Sequence, residues 1–148
     1  MNHDETAADQ AAKEWLEKVT RTVDTHLHMY KEMLGLDNWT ITMLYHDGES
    51  SATGYCDRLY AYKKAWIFID PAKHVSKSAV LQTLRHELLH LVHTPFDLAY
   101  EVMAKVVGVE KGSREHDTFQ EIYTYAQEAT VVNMERMLAK LVPDLEGL

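Results

Sequence analysis

The residues His86-Glu87-Leu88-Leu89-His90 place two histidines four positions apart around a glutamate. On an α-helix, four residues advance about 400° and about 6 Å, so both imidazoles leave the same face one turn apart. Such a pair can bind a zinc ion, and the intervening glutamate can serve as general base for an activated water. The chemistry that this spacing predicts is zinc-dependent hydrolysis.

Leucines surround the motif with helical periodicity. They fall about 140° to 220° from His86 around a helical wheel, on the side opposite the histidines, and are Leu81, Leu84, Leu88 and Leu91. One face would then pack in the core while the other carries the metal. The alternative is an ordinary amphipathic helix whose polar face carries histidines. We predict that this helix begins near Ser76 or Ser78 and ends before Thr94-Pro95.

A catalytic zinc site usually takes three protein ligands and leaves the fourth position to water, so the motif needs a further donor. His93 lies on the same helix, but it stands about 10.5 Å beyond His86 along the axis. One ion therefore cannot reach His86, His90 and His93 from an unbroken helix.

The downstream helix offers Glu121, Glu128 and Glu135, which a spacing of seven stacks about 20° apart on one stripe. Glu128 stands in a mostly apolar stretch, residues 126–132, where a buried carboxylate is costly unless it binds a positive group. We predict Glu128 as the third ligand and Glu121 as the alternative, followed by Asp97 and His116.

The N-terminal half is predicted to contain one helix and a small sheet. Apolar residues at three- and four-residue steps predict a helix from Ala7 to Met33, closed by Gly35. Residues 39–45, 54–62 and 65–69 read as strands, the last two forming a hairpin, and residues 46–51 form a turn. The run 65–69 is apolar at every position, which predicts burial on both faces against the motif helix.

The C-terminal half is predicted to be helical. Residues 97–107 form a helix that Asp97 caps and Gly108 ends, and 110–114 form a loop. A long helix follows from His116 to Leu141 and ends near Pro143. The predicted fold class is α+β: a three-stranded or slightly larger sheet packed against an N-terminal helix, the motif helix and a long C-terminal helix, in one domain spanning 1–148.

Composition narrows the function classes. A chain of 148 residues with 46% hydrophobic and 26% charged residues is typical of a soluble globular domain. The net charge of −8 disfavours phosphate-backbone binding, so no nucleic-acid partner is expected. Cys56 is the single cysteine, which fits a reducing compartment. The start of the sequence has no basic, then apolar, pattern, so we expect no membrane association and a cytoplasmic location.

A His-Glu-Leu-Leu-His helix after a small sheet, followed by a separate helix with a glutamate, resembles the gluzincin branch of the zincin metallopeptidases. In size the chain is similar to the small ImmA/IrrE-type and phage-encoded members. The resembling part runs from about residue 39 to 143, with Glu128-Ala129 and Leu141-Val142-Pro143 as a loose match. The resemblance implies zinc ligands at His86, His90 and Glu128, and a catalytic base at Glu87. The family's asparagine after the ligand glutamate is matched by Asn133, displaced in register.

These observations predict a zinc metallopeptidase that acts on a protein or peptide substrate, with Glu87 as general base. Candidate donors to the oxyanion of the transition state are His116, Tyr123 and Tyr125. The resemblance also implies that the sheet edge near residues 65–70 pairs with an extended substrate segment.

Two other functions remain open from the residues alone. The first is a regulatory or binding protein that keeps the zinc and the zincin-like fold but has no peptidase activity. The second is an interaction module that binds no metal. Four further histidines stand without partners at ligand spacing and are given no role: His26, His28, His46 and His74.

Overall fold

A computed structural model describes residues 6–45 and 51–141. Most of the predicted turn at 46–51 and the chain end near Pro143 lie outside these residues. The described elements are α1 (Ala7–Met33), β1 (Thr40–Leu44), β2 (Gly54–Leu59), β3 (Lys64–Ile69), α2 (Lys77–Val107) and α3 (Arg114–Leu141). Short 3-10 turns at Tyr60–Tyr62 and Pro71–Lys73 follow β2 and β3, so the prediction that the second strand continues to residue 62 is wrong. The α+β class and the three-stranded sheet are confirmed.

The strand order in the sheet is β1-β3-β2. β1 runs parallel to β3, and β2 runs antiparallel to it, as the predicted hairpin requires. The apolar run of β3 buries Ala65, Ile67 and Ile69 on one face and half-buries Trp66 and Phe68 on the other. A strand that is apolar at every position is suited to the middle of a covered sheet.

The central position of β3 corrects one prediction. Both edges of this strand are paired, so the segment near residues 65–70 cannot add a substrate strand, and that prediction is wrong. The outer strands of the described sheet are β1 and β2. Of these, β2 lies against α2 and therefore beside the metal motif.

α1 begins at a capping box, in which the Thr6 hydroxyl accepts from the backbone N–H of Asp9 and the Asp9 carboxylate accepts from that of Thr6. Its buried face contains Val19, Val23 and Tyr30. His26 is also buried on this face, where its Nδ1 donates to the carbonyl oxygen of Thr22 at 2.8 Å. It is therefore a packing residue, whereas His28 is exposed.

α2 begins at Ser76, whose hydroxyl oxygen accepts from the backbone N–H of Ala79 at 3.1 Å. The helix then continues through Pro95 to Val107, so the prediction that it ends before Thr94-Pro95 is wrong. Proline removes one backbone N–H from the helix. Thr94 is buried, and α3 contacts α2 on both sides of the proline, through His86 and His90 before it and through Asp97 and Tyr100 after it.

The continuous helix changes the environment of Asp97. No helix begins after Pro95, so Asp97 stands inside α2 and the prediction that it caps a helix is wrong. Gly108, with φ of 75°, ends the helix in the left-handed region, as predicted. The long helix α3 starts at Arg114, two residues before the predicted His116.

The motif leucines form part of the main core. Leu84 and Leu88 are fully buried, and Leu81 and Leu91 are nearly so. They pack with Val19, Val23 and Tyr30 of α1 and with the buried face of β3. The predicted contact between sheet and motif helix is therefore confirmed, and the opposite face of α2 is left to carry His86 and His90.

Candidate metal centre

The two motif histidines converge. Their Nε2 atoms stand 3.2 Å apart, and their rings meet nearly edge to face with centroids 4.9 Å apart. The spacing of four on α2 produces this approach, and the buried leucines opposite hold that face of the helix outward. Both side chains are partly buried: 25% of the His86 side chain and 14% of the His90 side chain are exposed.

Glu128 of α3 completes the cluster. One carboxylate oxygen lies 3.4 Å from Nε2 of His86 and the other lies 3.3 Å from Nε2 of His90. In the part of the chain that the structure describes, these three residues form the one group of three potential metal donors with ligand atoms within 4.8 Å of one another. The structure therefore brings together the three residues that the sequence predicted as ligands.

The placement of the donors suits one zinc ion. Zinc binds imidazole nitrogen at about 2.0–2.1 Å and carboxylate oxygen at about 2.0–2.2 Å, so two ligands of a tetrahedral site stand about 3.3–3.5 Å apart. The two imidazole nitrogens are 3.2 Å apart, and Glu128 presents one oxygen to each of them, at 3.4 and 3.3 Å. With one ligand atom taken from each residue, the three atoms lie within 4.8 Å of one another, so one ion between them would be within reach of all three side chains.

The cluster opens into a cleft between β2 and α3. Its walls include Tyr55, Cys56 and Arg58 of β2 and Gln127 of α3, together with the three donors and Glu87. Glu128 is 46% exposed, so one side of the centre can admit a ligand. Burial lowers the pKa of His90 below its ordinary value, which favours the neutral imidazole that a metal needs.

Glu87 lies beside the cluster in a buried position, with 6% of its surface exposed. Burial raises its pKa from 4.5 to about 7, and the nearby negative charge of Glu128 contributes in the same direction. A carboxyl group with this pKa can both accept and return a proton near neutral pH.

Gly54, the first residue of β2, permits the sheet to approach this glutamate. A Cβ at this position would stand 2.6 Å from Cγ2 of Thr83 and 2.8 Å from the carbonyl oxygen of Phe68. It would also lie 3.6 Å from Oε1 of Glu87. Any larger residue at position 54 would therefore push β2 away from α2 beside Glu87.

His74, which follows the 3-10 turn after β3, contacts Thr83, the residue of α2 that faces Gly54. Its Nδ1 donates to the carbonyl oxygen of Asp70 at 2.7 Å, so its Nε2 accepts from the Thr83 hydroxyl at 2.8 Å. The ring is buried and belongs to no group of metal donors among the described residues. Its place in the structure is to hold Thr83 against Gly54.

Asp97 joins three elements next to the cleft. Its carboxylate forms an ion pair with Arg58 of β2 and accepts hydrogen bonds from the Tyr123 hydroxyl and, at 2.7 Å, from the Gln127 amide of α3. Gln127 directly precedes Glu128, so this network locates the third donor relative to α2. Because its oxygens contact these groups, Asp97 stands as a link between elements rather than as a donor in the metal cluster.

The remaining predicted site residues lie elsewhere. Glu121 is exposed and outside the cluster. Tyr125 is 77% exposed, and the Tyr123 hydroxyl already donates to Asp97. His116 sits in the first turn of α3, with its Nδ1 3.6 Å from the Asp117 carboxylate. The ring of His93 pairs with Phe96, at 5.7 Å between centroids, away from the donors.

Several cleft residues were not identified from the sequence. Arg58 and Gln127 are single polar residues in a strand and a helix, and nothing in their local pattern distinguishes them from surface residues. Gly54 carried a usable signal, because an isolated glycine at the start of a strand indicates a close approach. Its partner Thr83 lies 29 positions away, so the sequence did not show what approaches it.

Comparisons with protein-family models, with curated proteins and with solved structures produced no match to this chain. The resemblance to gluzincins therefore rests on the motif and its surroundings. Within residues 6–45 and 51–141, none of the helices combines the length and apolarity needed to cross a bilayer.

Proposed function

We propose that the chain is a zinc-dependent peptidase, with His86, His90 and Glu128 as metal ligands and Glu87 as general base. The observation that carries this proposal is the convergence of two imidazole nitrogens, 3.2 Å apart, with a carboxylate whose two oxygens lie 3.4 and 3.3 Å from them, a donor set suited to zinc. The resemblance to gluzincins supports the same assignment.

Held by His86, His90 and Glu128, a zinc ion would supply an acidified water and a positive charge beside the carbonyl of the scissile peptide. Glu87 takes the proton from the attacking water and delivers it to the amide nitrogen as the carbon–nitrogen bond breaks. Its burial beside the donors and its raised pKa suit both transfers. We propose zinc as the metal because two imidazoles and a carboxylate form a common catalytic zinc set.

The number of donors favours a catalytic site over a structural one. Structural zinc sites usually close with four protein ligands, whereas catalytic sites keep a position open. Three donors converge in the described part of the chain, and the cleft beside them also contains a buried carboxyl group. A purely structural site has no need of Glu87.

Arg58 is our candidate for stabilising the oxyanion. Its guanidinium lines the same cleft as the three donors and is held by Asp97. A positive group at that position would stabilise the charge that develops on the carbonyl oxygen. His116, Tyr123 and Tyr125 are weaker candidates: the hydroxyl of Tyr123 is directed to Asp97, and Tyr125 is largely exposed.

An extended protein segment is the substrate class that the cleft favours. β2 pairs with β3 along one edge and with no strand of the described sheet along the other, and four of its residues line the cleft beside Glu87. Addition of a peptide strand to β2 would bring its backbone past the donors. The edge that we propose for substrate is therefore β2, in place of the segment near residues 65–70.

Zinc content and peptide cleavage test this proposal together. We expect the purified chain to bind one zinc ion, and His86→Ala and Glu128→Gln to lose it, while Glu121→Gln at the exposed end of the same stripe retains it. Glu87→Gln should keep zinc but lose at least about 100-fold in cleavage of a proteome-derived peptide library, read by mass spectrometry.

Two results would contradict the proposal at different points. Full zinc occupancy in Glu128→Gln would remove the third ligand from the assignment. Cleavage that proceeds at the wild-type rate in Glu87→Gln would leave a zinc-binding protein whose hydrolysis, if any, does not use this base.

A further inference from the structure

A second glutamate of α3 lies next to the metal centre. Glu135 is seven residues beyond Glu128 and is 6% exposed. Its Oε2 stands 4.0 Å from Nδ1 of His86. It is more deeply buried than Glu128, although Glu128 is the one placed among the donors.

The carboxylates of Glu128 and Glu135 lie next to different nitrogens of the His86 ring. Glu128 lies 3.4 Å from Nε2 of His86, and Glu135 lies on the Nδ1 side. A spacing of seven places them on one stripe about 10.5 Å apart along the helix, and the imidazole with its two contacts bridges that length. The register of α3 along α2 therefore brings both glutamates to His86.

The burial of Glu135 requires a partner for its carboxylate. A carboxylate removed from water is unfavourable without a positive or hydrogen-bonding partner. Neutral His86 can donate from only one nitrogen. If Nε2 binds the ion, the proton must stand on Nδ1, which faces Glu135.

We propose that Glu135 is a positioning residue of the metal centre, which accepts a hydrogen bond from Nδ1–H of His86 and so directs Nε2 at the ion. The inference rests on the metal site of the proposed function and adds a residue outside the ligand set. The separation of 4.0 Å is about 1 Å longer than a hydrogen bond, so the proposed bond requires the two side chains to approach by that amount when the ion binds. Such a partner fixes the tautomer and ring orientation and increases the basicity of the ligand.

Charge supports the same role. The Glu135 side also faces a second arm of the cleft, lined by Lys73, His74, Thr83 and Glu87. Lys73 there contacts Asp70 and the carbonyl oxygen of Ala52, and His74 contacts Asp70 and Thr83. His86 contacts the Glu135 carboxylate at the edge of this arm, and a bound divalent ion would add a balancing positive charge.

Zinc affinity tests the inference without use of peptidase activity. Competition with a chromophoric chelator should give about 10- to 100-fold weaker zinc binding for Glu135→Ala. Glu135→Gln, which keeps an acceptor oxygen, should recover part of that loss. Glu121→Ala removes the same charge from an exposed position of α3 and should bind zinc as the wild type does. The visible spectrum of the cobalt-substituted protein should change in Glu135→Ala, because the orientation of a ligand ring changes.

The outcomes separate this inference from the proposed function. Wild-type zinc affinity and cobalt spectrum in both Glu135 variants, with zinc lost in His86→Ala, would overturn the role of Glu135 and leave the metal site intact. Zinc binding that survives in His86→Ala would overturn the metal site itself. If Glu135→Ala does not fold, Glu135→Gln alone decides, since the inference requires its affinity to fall below that of Glu121→Ala.

Discussion

Two carboxylates at the candidate metal centre repel one another. Burial raises the pKa of Glu87, and the negative charge of the nearby Glu128 carboxylate adds to that effect. His90 is biased toward the neutral form by burial. A divalent cation among these groups would relieve the repulsion between the carboxylates and accept the lone pairs of the imidazoles. The metal-free protein must instead tolerate the repulsion.

Glu87 should make the stability of the metal-free protein depend on pH. Its folded pKa of about 7 lies above the unfolded value of 4.5, so the folded state binds the proton more tightly. This contribution is fully present below pH 4.5 and is lost as the pH rises through 7. Urea unfolding of the chelator-treated protein should therefore show Glu87→Gln more stable than wild type at pH 8, by on the order of 2 kcal/mol, with little difference at pH 4.5.

The control for that measurement is Glu121→Gln, which removes an exposed carboxylate of α3. Its stability should follow the wild-type pH profile. Parallel pH profiles for Glu87→Gln and wild type would show that the carboxyl group of Glu87 titrates with the same pKa in the folded and unfolded chain.

At the scale of elements, the centre depends on how α3 lies against α2 and β2. The donors come from two helices, and the Asp97 carboxylate links both helices to β2 through Arg58, Tyr123 and Gln127. This link is possible because α2 continues through Pro95, which brings Asp97 onto the same helix as the motif. A helix that stopped at Thr94 would not hold Asp97 in a fixed relation to His90.

Removal of this link should weaken both fold and metal binding. Asp97→Ala leaves the half-buried Arg58 without its carboxylate, and we expect a loss of about 2–4 kcal/mol in the free energy of unfolding. Zinc affinity should fall as well, because α3 would lose the hydrogen bond from Gln127 to Asp97 that locates the neighbouring Glu128. Chemical denaturation and chelator competition measure the two effects.

Glu101→Ala is the matched control, because it removes an exposed carboxylate one turn further along α2. It should leave both quantities near their wild-type values. Asp97→Ala with unchanged zinc affinity would show that Glu128 reaches the metal without help from the Asp97 link.

At the scale of the whole molecule, a metal ion would connect the two longest helices. His86 and His90 belong to α2, and Glu128 belongs to α3, while α1 and β3 pack against the leucine face of α2. The main core contains residues of α1, β3 and α2, whereas the buried residues of α3 are few: Val131, Glu135 and Leu138. α3 is thus the helix whose attachment gains most from the ion.

Zinc should therefore raise the stability of the folded protein. At a free zinc concentration of 100 times the dissociation constant, the gain should be about 2.7 kcal/mol, provided that the unfolded chain does not bind the ion. Thermal unfolding with and without zinc measures it, and hydrogen exchange should locate the added protection in α3. His86→Ala should show no gain, and an equal gain in that variant would place the stabilising ion elsewhere.

The sequence alone determined the local parts of this protein. The spacing of His86 and His90 places both rings on one helical face whatever the fold, and the leucines opposite them determine which face is buried. The helices, the strands and the apolar character of β3 follow from similar short-range patterns. Glu128 was favoured over Glu121 because of its apolar neighbours, and the structure brings Glu128 to the two histidines.

Only the tertiary structure decided how these parts meet. The strand order places β3 in the centre of the sheet. α2 continues through Pro95, and α3 packs along it. The packing of α3 along α2 set the register that brings both Glu128 and Glu135 to His86, and the packing of α2 against β2 brings Asp97 to Arg58. These contacts join residues 39 or more positions apart. They depend on the translation and rotation of whole elements, which the side-chain pattern of each element by itself does not specify.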